Sequence, residues 1–385
     1  MSVRTANRLI SVEEYYFSKK LREVRELMAS GKPVINMAIG SPDLEPPAEV
    51  LSAIKEAVDF DGAHKYQSYQ GIPELREAIA DFYLKNYNVQ LDPSSEILPL
   101  MGSKEGIMHI SLAYLNEGDE VLIPDPGYPT YTSVTKLVGG VPLFYDLKEE
   151  NDWQPDFELL ESKDLSKVKI MWVNYPHMPT GASGTVELYT KLVNFAKKHN
   201  ILLVKDNPYS FILNESPLSI LSVKGAQDVT LELNSLSKTF NMAGWRVGML
   251  SGSKEKIDAV LKVKSNMDSG MFLGIQKGAI AALRMDSDWF DSMNKIYDKR
   301  RKLIWQLAKL LGCSYDEKAK GMFVWAKLPK EINSLEFIDQ ILYNNDIFIA
   351  PGDIFGKNGK GYIRFSLCVS ENQIIEAMNR LKVNA

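Results

Sequence analysis

Residues 169–206 read K-I-M-W-V-N-Y-P-H-M-P-T-G-A-S-G-T-V-E-L-Y-T-K-L-V-N-F-A-K-K-H-N-I-L-L-V-K-D, and this stretch decides the fold class. An apolar run from Lys169 to Asn174 leads into a Pro- and Gly-bounded loop. A helix-period segment follows from Val186 to His199, then a second apolar run from Ile201 to Lys205. Leu188, Leu192, Phe195 and Ala196 recur on one face of the middle segment, as in a helix packed on one side. Short strands that are apolar throughout are buried on both faces, the habit of a parallel sheet covered by helices.

The same alternation extends outward. Strand-like runs occur at Ile97 to Leu100, Val121 to Ile123, Leu143 to Tyr145, Thr230 to Leu233 and Arg246 to Ser251, and Lys104 to Leu115 has helical period. With the first two runs this makes seven strands interleaved with helices. The expected fold is α/β, a seven-stranded, mostly parallel sheet covered on both sides. The ends read differently. Residues 12–30 form one amphipathic pattern stopped by Gly31 and Pro33, and a long helix is expected from Ser287 to Leu311. The expected division is a large domain over 45–283 and a smaller α+β domain made jointly from 1–44 and 284–385.

Composition narrows the class. Of 385 residues, 45% are apolar and 24% charged, which excludes wholesale disorder, collagen-like sequence and coiled coil. Lys plus Arg number 45 against 49 Asp plus Glu, a net charge of -4, so nothing global draws the chain to nucleic acid or anionic lipid. No apolar run approaches the ~20 residues of a membrane helix. The amino terminus lacks the apolar core of a secretory signal. Cys313 and Cys368 form no C-x-x-C, so a reduced, cytoplasmic setting is the simplest expectation. His64, His109, His177 and His199 assemble no metal or triad set by spacing, and no metal is expected.

The chemistry-bearing motifs follow the strands. Ser235-Leu-Ser237-Lys238 is joined eight residues on by Arg246, between Gly244 and Gly248. A hydroxyl-rich turn with lysine and arginine suits a phosphate dianion and an amine nucleophile. Arginine gives phosphate oxygens a fixed two-pronged contact, and a lysine of lowered pKa can form a Schiff base with an aldehyde. Asp206-Asn-Pro-Tyr209 follows I-L-L-V-K, so a carboxylate stands where α/β folds place ligands, and it could also cap the turn before Pro208. Met101-Gly102-Ser103-Lys104-Glu105-Gly106 places a glycine and a helix start together, which can seat phosphate on free N–H groups. Asn174 ends another strand, and Tyr128 in P-D-P-G-Y-P could stack on a flat ligand or simply sit in a turn.

Taken together and in order, these residues resemble the pyridoxal-phosphate enzymes of fold type I, specifically the class I/II aminotransferases, over nearly the whole length. The segment S-L-S-K…G-W-R-x-G is the most specific match. The resemblance implies pyridoxal 5'-phosphate as cofactor and makes Lys238 the Schiff-base lysine and proton shuttle. It gives Asp206 the pyridinium nitrogen, and Asn174 and Tyr209 the ring's O3′. Tyr128 would stack on the ring face. Gly102, Ser103, Lys104, Ser235, Ser237 and Arg246 would hold the phosphate. Tyr66 would reach a neighbouring subunit's phosphate, which implies a homodimer with composite active sites. Arg364 in G-Y-I-R-F-S-L would grip the substrate α-carboxylate, and Gly40 in I-G-S-P-D would belong to the loop closing over it.

Within the family the motifs look most like LL-diaminopimelate and aspartate-type enzymes, so an amino acid and a 2-oxo acid are the implied substrates. Lys104 then becomes a candidate reader of a distal carboxylate. Two departures bear on the substrate. His177 and Met178 stand where those relatives commonly carry two asparagines, and 268–272 contains no arginine. Competing expectations are an aminotransferase for neutral (aromatic or methionine-like) donors and a carbon–sulfur β-lyase on the same fold. A non-enzymatic amino-acid sensor is a third, weakened by the short, non-basic segment before the large domain.

Overall fold

The apolar runs become strands because each can bury both faces. The computed structural model of the chain describes residues 3–14, 16–329 and 332–383. In chain order the strands are β1 (Ile35–Asn36), β2 (Ile97–Leu100), β3 (Glu120–Asp125), β4 (Val141–Asp146), β5 (Val168–Asn174), β6 (Leu202–Asp206) and β7 (Thr230–Ser235). They continue with β8 (Gly248–Gly252), β9 (Ser314–Tyr315), β10 (Phe323–Lys327), β11 (Ile347–Phe348), β12 (Ala350–Pro351) and β13 (Tyr362–Ser366).

Seven strands form one sheet in the order β2-β8-β7-β6-β5-β3-β4, all neighbouring pairs parallel except the two that involve β8. Alternate residues serve two cores. Ile170, Trp172, Val204, Leu231 and Leu233 face one helical layer, while Met171, Val173, Leu203 and Met249 face the other. Only β4, at the edge, is half exposed. The parallel strands end together, so Asp125, Asn174, Asp206 and Ser235 line one rim, and Asn174 lies directly opposite Asp206 in the register. This rim is where a parallel sheet offers free backbone ends and loops to a ligand.

The second core gathers around β10 and β13, paired antiparallel, and β1 pairs in parallel with β11. That pairing ties residue 35 to residue 347, so both ends of the chain build one body. The helix Ser287–Leu310 serves both cores: Trp289 and Phe290 pack on the first, Tyr297, Ile304 and Leu307 on the second.

Three local expectations shift. The amino-terminal helix runs Tyr16–Ala29, with residues 12–14 outside it and Tyr15 outside the described residues. The strand expected from Arg246 begins at Gly248, because Arg246 adopts φ 57°, a left-handed conformation that no strand accommodates. The two-residue strand β1 was not foreseen, whereas β9, β11 and β12 fall in the carboxyl-terminal part, where short strands and helices are expected after the long helix. Among the described residues no helix is long and apolar enough to cross a membrane.

Candidate active site

A cavity of about 460 Å³ opens at the strand rim, between the large sheet and the second core. Its floor includes Ser103 and Lys104, the first residues of the helix Ser103–Tyr114, which Gly102 precedes. Gly102 has φ +94°, and a Cβ there would stand 2.2 Å from Arg246 Nη2. The glycine is therefore what lets the guanidinium lie against the helix start, where the first N–H groups have no intrahelical acceptor. Arg246 Nη1 donates to Ala243 O over 2.9 Å, which orients the fork. Ser235 Oγ accepts from Ser237 N at 3.1 Å, bringing both hydroxyl-bearing residues to the same wall.

Asp206 is 4% exposed. Burial pushes its carboxyl up to about 6, against the Tyr131 hydrogen bond and the Lys205 ammonium, which pull it down. Tyr131 Oη donates to Oδ2 over 3.0 Å, while Oδ1 is buried without a hydrogen-bond partner among the described residues. Asn174 lines the cavity, but Nδ2 donates to Asp206 O at 2.6 Å and Oδ1 accepts from Met178 N at 2.7 Å. Its amide thus anchors the loop and leaves one N–H for a ligand. Tyr209 and Tyr128 also line the cavity, and burial raises both phenols, so both remain protonated donors at neutral pH. Tyr128 meets Tyr131 edge-on, with ring centroids 5.5 Å apart.

Lys238 Nζ points into this space and donates to Gly40 O. Burial lowers its pKa, the nearby Cys368 thiol opposes that, and the Arg364 and Arg246 cations add to it. A desolvated amine gives up its proton more easily, which is what a nucleophile needs. Gly40 is held by shape: a Cβ there would meet the Phe323 ring at 2.4 Å. Arg364, 4% exposed, donates from Nη2 to Ala38 O at 2.7 Å and from Nη1 to Met178 Sδ at 3.2 Å. Its guanidinium carbon lies 3.9 Å from the Phe323 ring centroid and 4.6 Å from that of Phe355. Lys104 lines the cavity, its pKa lowered by burial and by Arg246. Tyr66 does not reach the cavity; it is exposed on the surface. Of the pair that departs from the family pattern, Met178 lines the cavity. His177 is buried beneath the loop, its Nδ1 2.8 Å from Thr180 Oγ1 and its imidazole pushed down to about 3 by burial.

The family model for aminotransferase class I and II matches residues 32–381. The chain belongs to that family. It is similar to the LL-diaminopimelate aminotransferase of Aquifex aeolicus, 40% identical over 98% of each chain. It is similar in structure to apo-BacF from Bacillus subtilis, with a TM-score of 0.95, 36% identity, and coverage of 100% of this chain and 99% of that one. An aminotransferase from Staphylococcus aureus superposes with a TM-score of 0.90 at 31% identity over 98% of both chains.

As a class I and II aminotransferase the enzyme depends on pyridoxal 5'-phosphate, and the residues fit that group. The buried, unsatisfied Asp206 Oδ1 is an anion awaiting an N–H donor, and the floor below Gly102 gathers arginine, serines and a helix start for a dianion. Sequence reasoning missed Tyr131, and it also missed the apolar wall that Phe17, Leu21, Ile39, Phe323 and Phe355 form beside Met178. A signal for Tyr131 existed, since it lies one helical turn beyond Tyr128. The wall had none, because its members meet only through tertiary packing.

Proposed function

We propose that this aminotransferase takes glutamate/2-oxoglutarate as one couple and, as its other substrate, an amino acid bearing a second carboxylate. The observation that carries this reading is Lys104, which shares the cavity with Arg364 and Lys238. Arg364 holds the α-carboxylate, and Lys104 offers a second cation to a distal one. The relatives named for LL-diaminopimelate, a substrate with a carboxylate at each end, support it. A charge-assisted contact of this kind is worth roughly 1.5–3 kcal/mol, about ten- to a hundredfold in selectivity.

When bound, the cofactor supplies the electron sink that lets an amino acid release its α-proton. The chain's own groups do the rest. Asp206 Oδ1 would accept the ring N–H and keep that nitrogen charged, and Tyr131 holds the carboxylate in place. Ser103, Ser235, Ser237 and Arg246 would hold the phosphate and so keep the ring from pivoting away from Lys238. Lys238 Nζ carries the proton from the substrate α-carbon. Asn174 and Tyr209, which line the cavity, would bond the ring's O3′. The cavity sits behind the wall of Ile39, Phe355 and Met178, which limits water access to these steps.

The enzyme works as a homodimer in this reading. Exposed Phe60, Tyr66, Tyr69, Met267 and Phe272 lie on neighbouring surface segments, with His64 stacked on Phe272 and Gly270 packed on Gln67. An apolar patch of this kind suits a second copy, whose cavity Tyr66 would complete.

A second reading is favoured by the apolar wall around Arg364, which suits a neutral donor. Measured kcat/KM for aspartate, glutamate, LL-diaminopimelate, methionine and phenylalanine in wild type and Lys104→Ala separates the two. The acidic reading requires acidic donors to win in wild type and to lose selectively in the variant. Equal losses for all donors, or neutral donors already ahead, sink it. Borohydride reduction with mass mapping should place the cofactor on Lys238.

A further inference from the structure

We infer that Asp125 is a positioning residue for substrate-carboxylate binding, acting through the loop that carries Phe355. Asp125 ends β3, is 4% exposed, and belongs to the turn that presents Tyr128 to the cavity. Both of its carboxylate oxygens are taken by one backbone segment: Oδ2 accepts from Lys357 N at 3.2 Å and Oδ1 from Asn358 N at 3.0 Å. Asn358 Nδ2 returns bonds of 3.0 Å to Asp125 O and to Asp146 Oδ1, the latter at the end of β4. Gly127 N donates to Phe355 O over 2.8 Å, and Lys357 Nζ lies 2.9 Å from Asp146 Oδ1. Residues 355–358 are thereby clamped to the ends of two strands of the large sheet.

Gly356 explains why the clamp closes so tightly. Its φ is +136°, and a Cβ there would stand 2.2 Å from Asp125 Oδ1. Only glycine lets the carboxylate sit directly beneath the turn. The preceding residue, Phe355, is buried and lies with its ring centroid 4.6 Å from the Arg364 guanidinium carbon, which also has the Phe323 ring at 3.9 Å. Two aromatic walls fix the plane of the guanidinium and keep water from its faces, which strengthens its contact with an incoming carboxylate. An aspartate that only closed a turn would make the same N–H contacts. This one holds the backbone carrying a wall of the arginine, three residues before the tyrosine in the same cavity. Asp125 thus sets the distance between the cofactor side of the site and its carboxylate-binding side.

The proposal rests on Arg364 being the α-carboxylate residue, and the test separates the two. Holoenzyme would be assayed with whichever of aspartate, glutamate, methionine and phenylalanine it turns over fastest, with cofactor affinity and Tm read alongside. Asp125→Asn keeps one accepting oxygen but sets an N–H₂ against a backbone N–H. It should raise KM about tenfold for both amino acid and 2-oxo acid, with kcat within about twofold and cofactor affinity unchanged. Gly356→Ala, which forces a methyl against the carboxylate from the loop side, should do the same. The double variant Asp125→Asn/Phe355→Leu should be no worse than the worse single variant, because both act through one wall. An unchanged KM in folded Asp125→Asn or Gly356→Ala overturns the proposal, as does strict additivity or a loss confined to cofactor affinity. If Asp125→Asn does not fold, Gly356→Ala decides. If Arg364→Lys raises KM while these variants do not, the carboxylate reading stands and the positioning role fails. If Arg364→Lys leaves KM alone, both fall.

Discussion

Tyr131 donates to Asp206 Oδ2 over 3.0 Å while its ring lies on Trp172, centroids 4.9 Å apart and planes within 6°. The stacked indole leaves the tyrosine one orientation, so the carboxylate has one too. Oδ1, the other oxygen of this cavity-lining residue, is buried without a hydrogen-bond partner among the described residues. A buried anion satisfied on one side only is costly alone, and its full stabilisation needs a ligand that brings an N–H.

Replacing Asp206 by Ala should therefore leave cofactor bound through its phosphate and Lys238 but remove most transamination. The expected loss is about 3–5 kcal/mol of transition-state stabilisation, two to four decades in rate. Turnover in Asp206→Ala close to wild type would remove Asp206 from the chemistry.

The same burial makes a prediction for cofactor-free protein. Burial holds the carboxyl at about 6 in the folded chain against an ordinary value of 3.8, so between those values the folded state binds more protons than the unfolded one. Stability then falls as pH rises through that window and levels off above it. Asp206→Asn removes this penalty. Its apoprotein should be more stable than wild-type apoprotein above about pH 6, by up to about 3 kcal/mol, with the gap closing below about pH 4. Denaturant melts of both apoproteins at pH 4 and pH 7.5 measure it, and an equal gap at the two pH values contradicts it.

Tyr66 gives a prediction about assembly. Mixed Tyr66→Phe and Lys238→Ala subunits should show more activity than either variant alone, since one site of each heterodimer would be whole. An active monomer in sedimentation would refute the composite site.

The strand ends were readable because a buried strand announces itself by an apolar run, and the first polar residue after it must lie on the rim. Asn174 follows that rule directly, and Asp206 and Ser235 come one residue later, after Lys205 and Asn234. What local pattern could not supply was the partner across the fold. β1 is two residues long, too short to show any period, and exists because β11 passes beside it. Phe355 reads as an ordinary apolar residue between glycines until it is seen against Arg364. Asn174 shows the intermediate case: its place was legible, but the use of its amide on Asp206 O and Met178 N was not.

Gly102→Ala tests the phosphate floor without touching a charged group. At φ +94° an alanine is strained by roughly 1–2 kcal/mol, and its methyl would occupy the place of the Arg246 guanidinium, 2.2 Å from Nη2. The arginine is the far end of a flexible side chain, so it should swing away rather than unfold the helix start. Folding should survive with a modest drop in Tm. Losing one charge-assisted, two-pronged phosphate contact should weaken pyridoxal 5'-phosphate by about ten- to a hundredfold. Pyridoxal, which lacks the phosphate, serves as control: its affinity should hardly change. If the effect runs through Arg246, adding Gly102→Ala to Arg246→Ala should weaken the cofactor little further. Equal losses for pyridoxal and pyridoxal 5'-phosphate would mean that backbone strain alone is at work, and that Gly102 does not make room for the arginine.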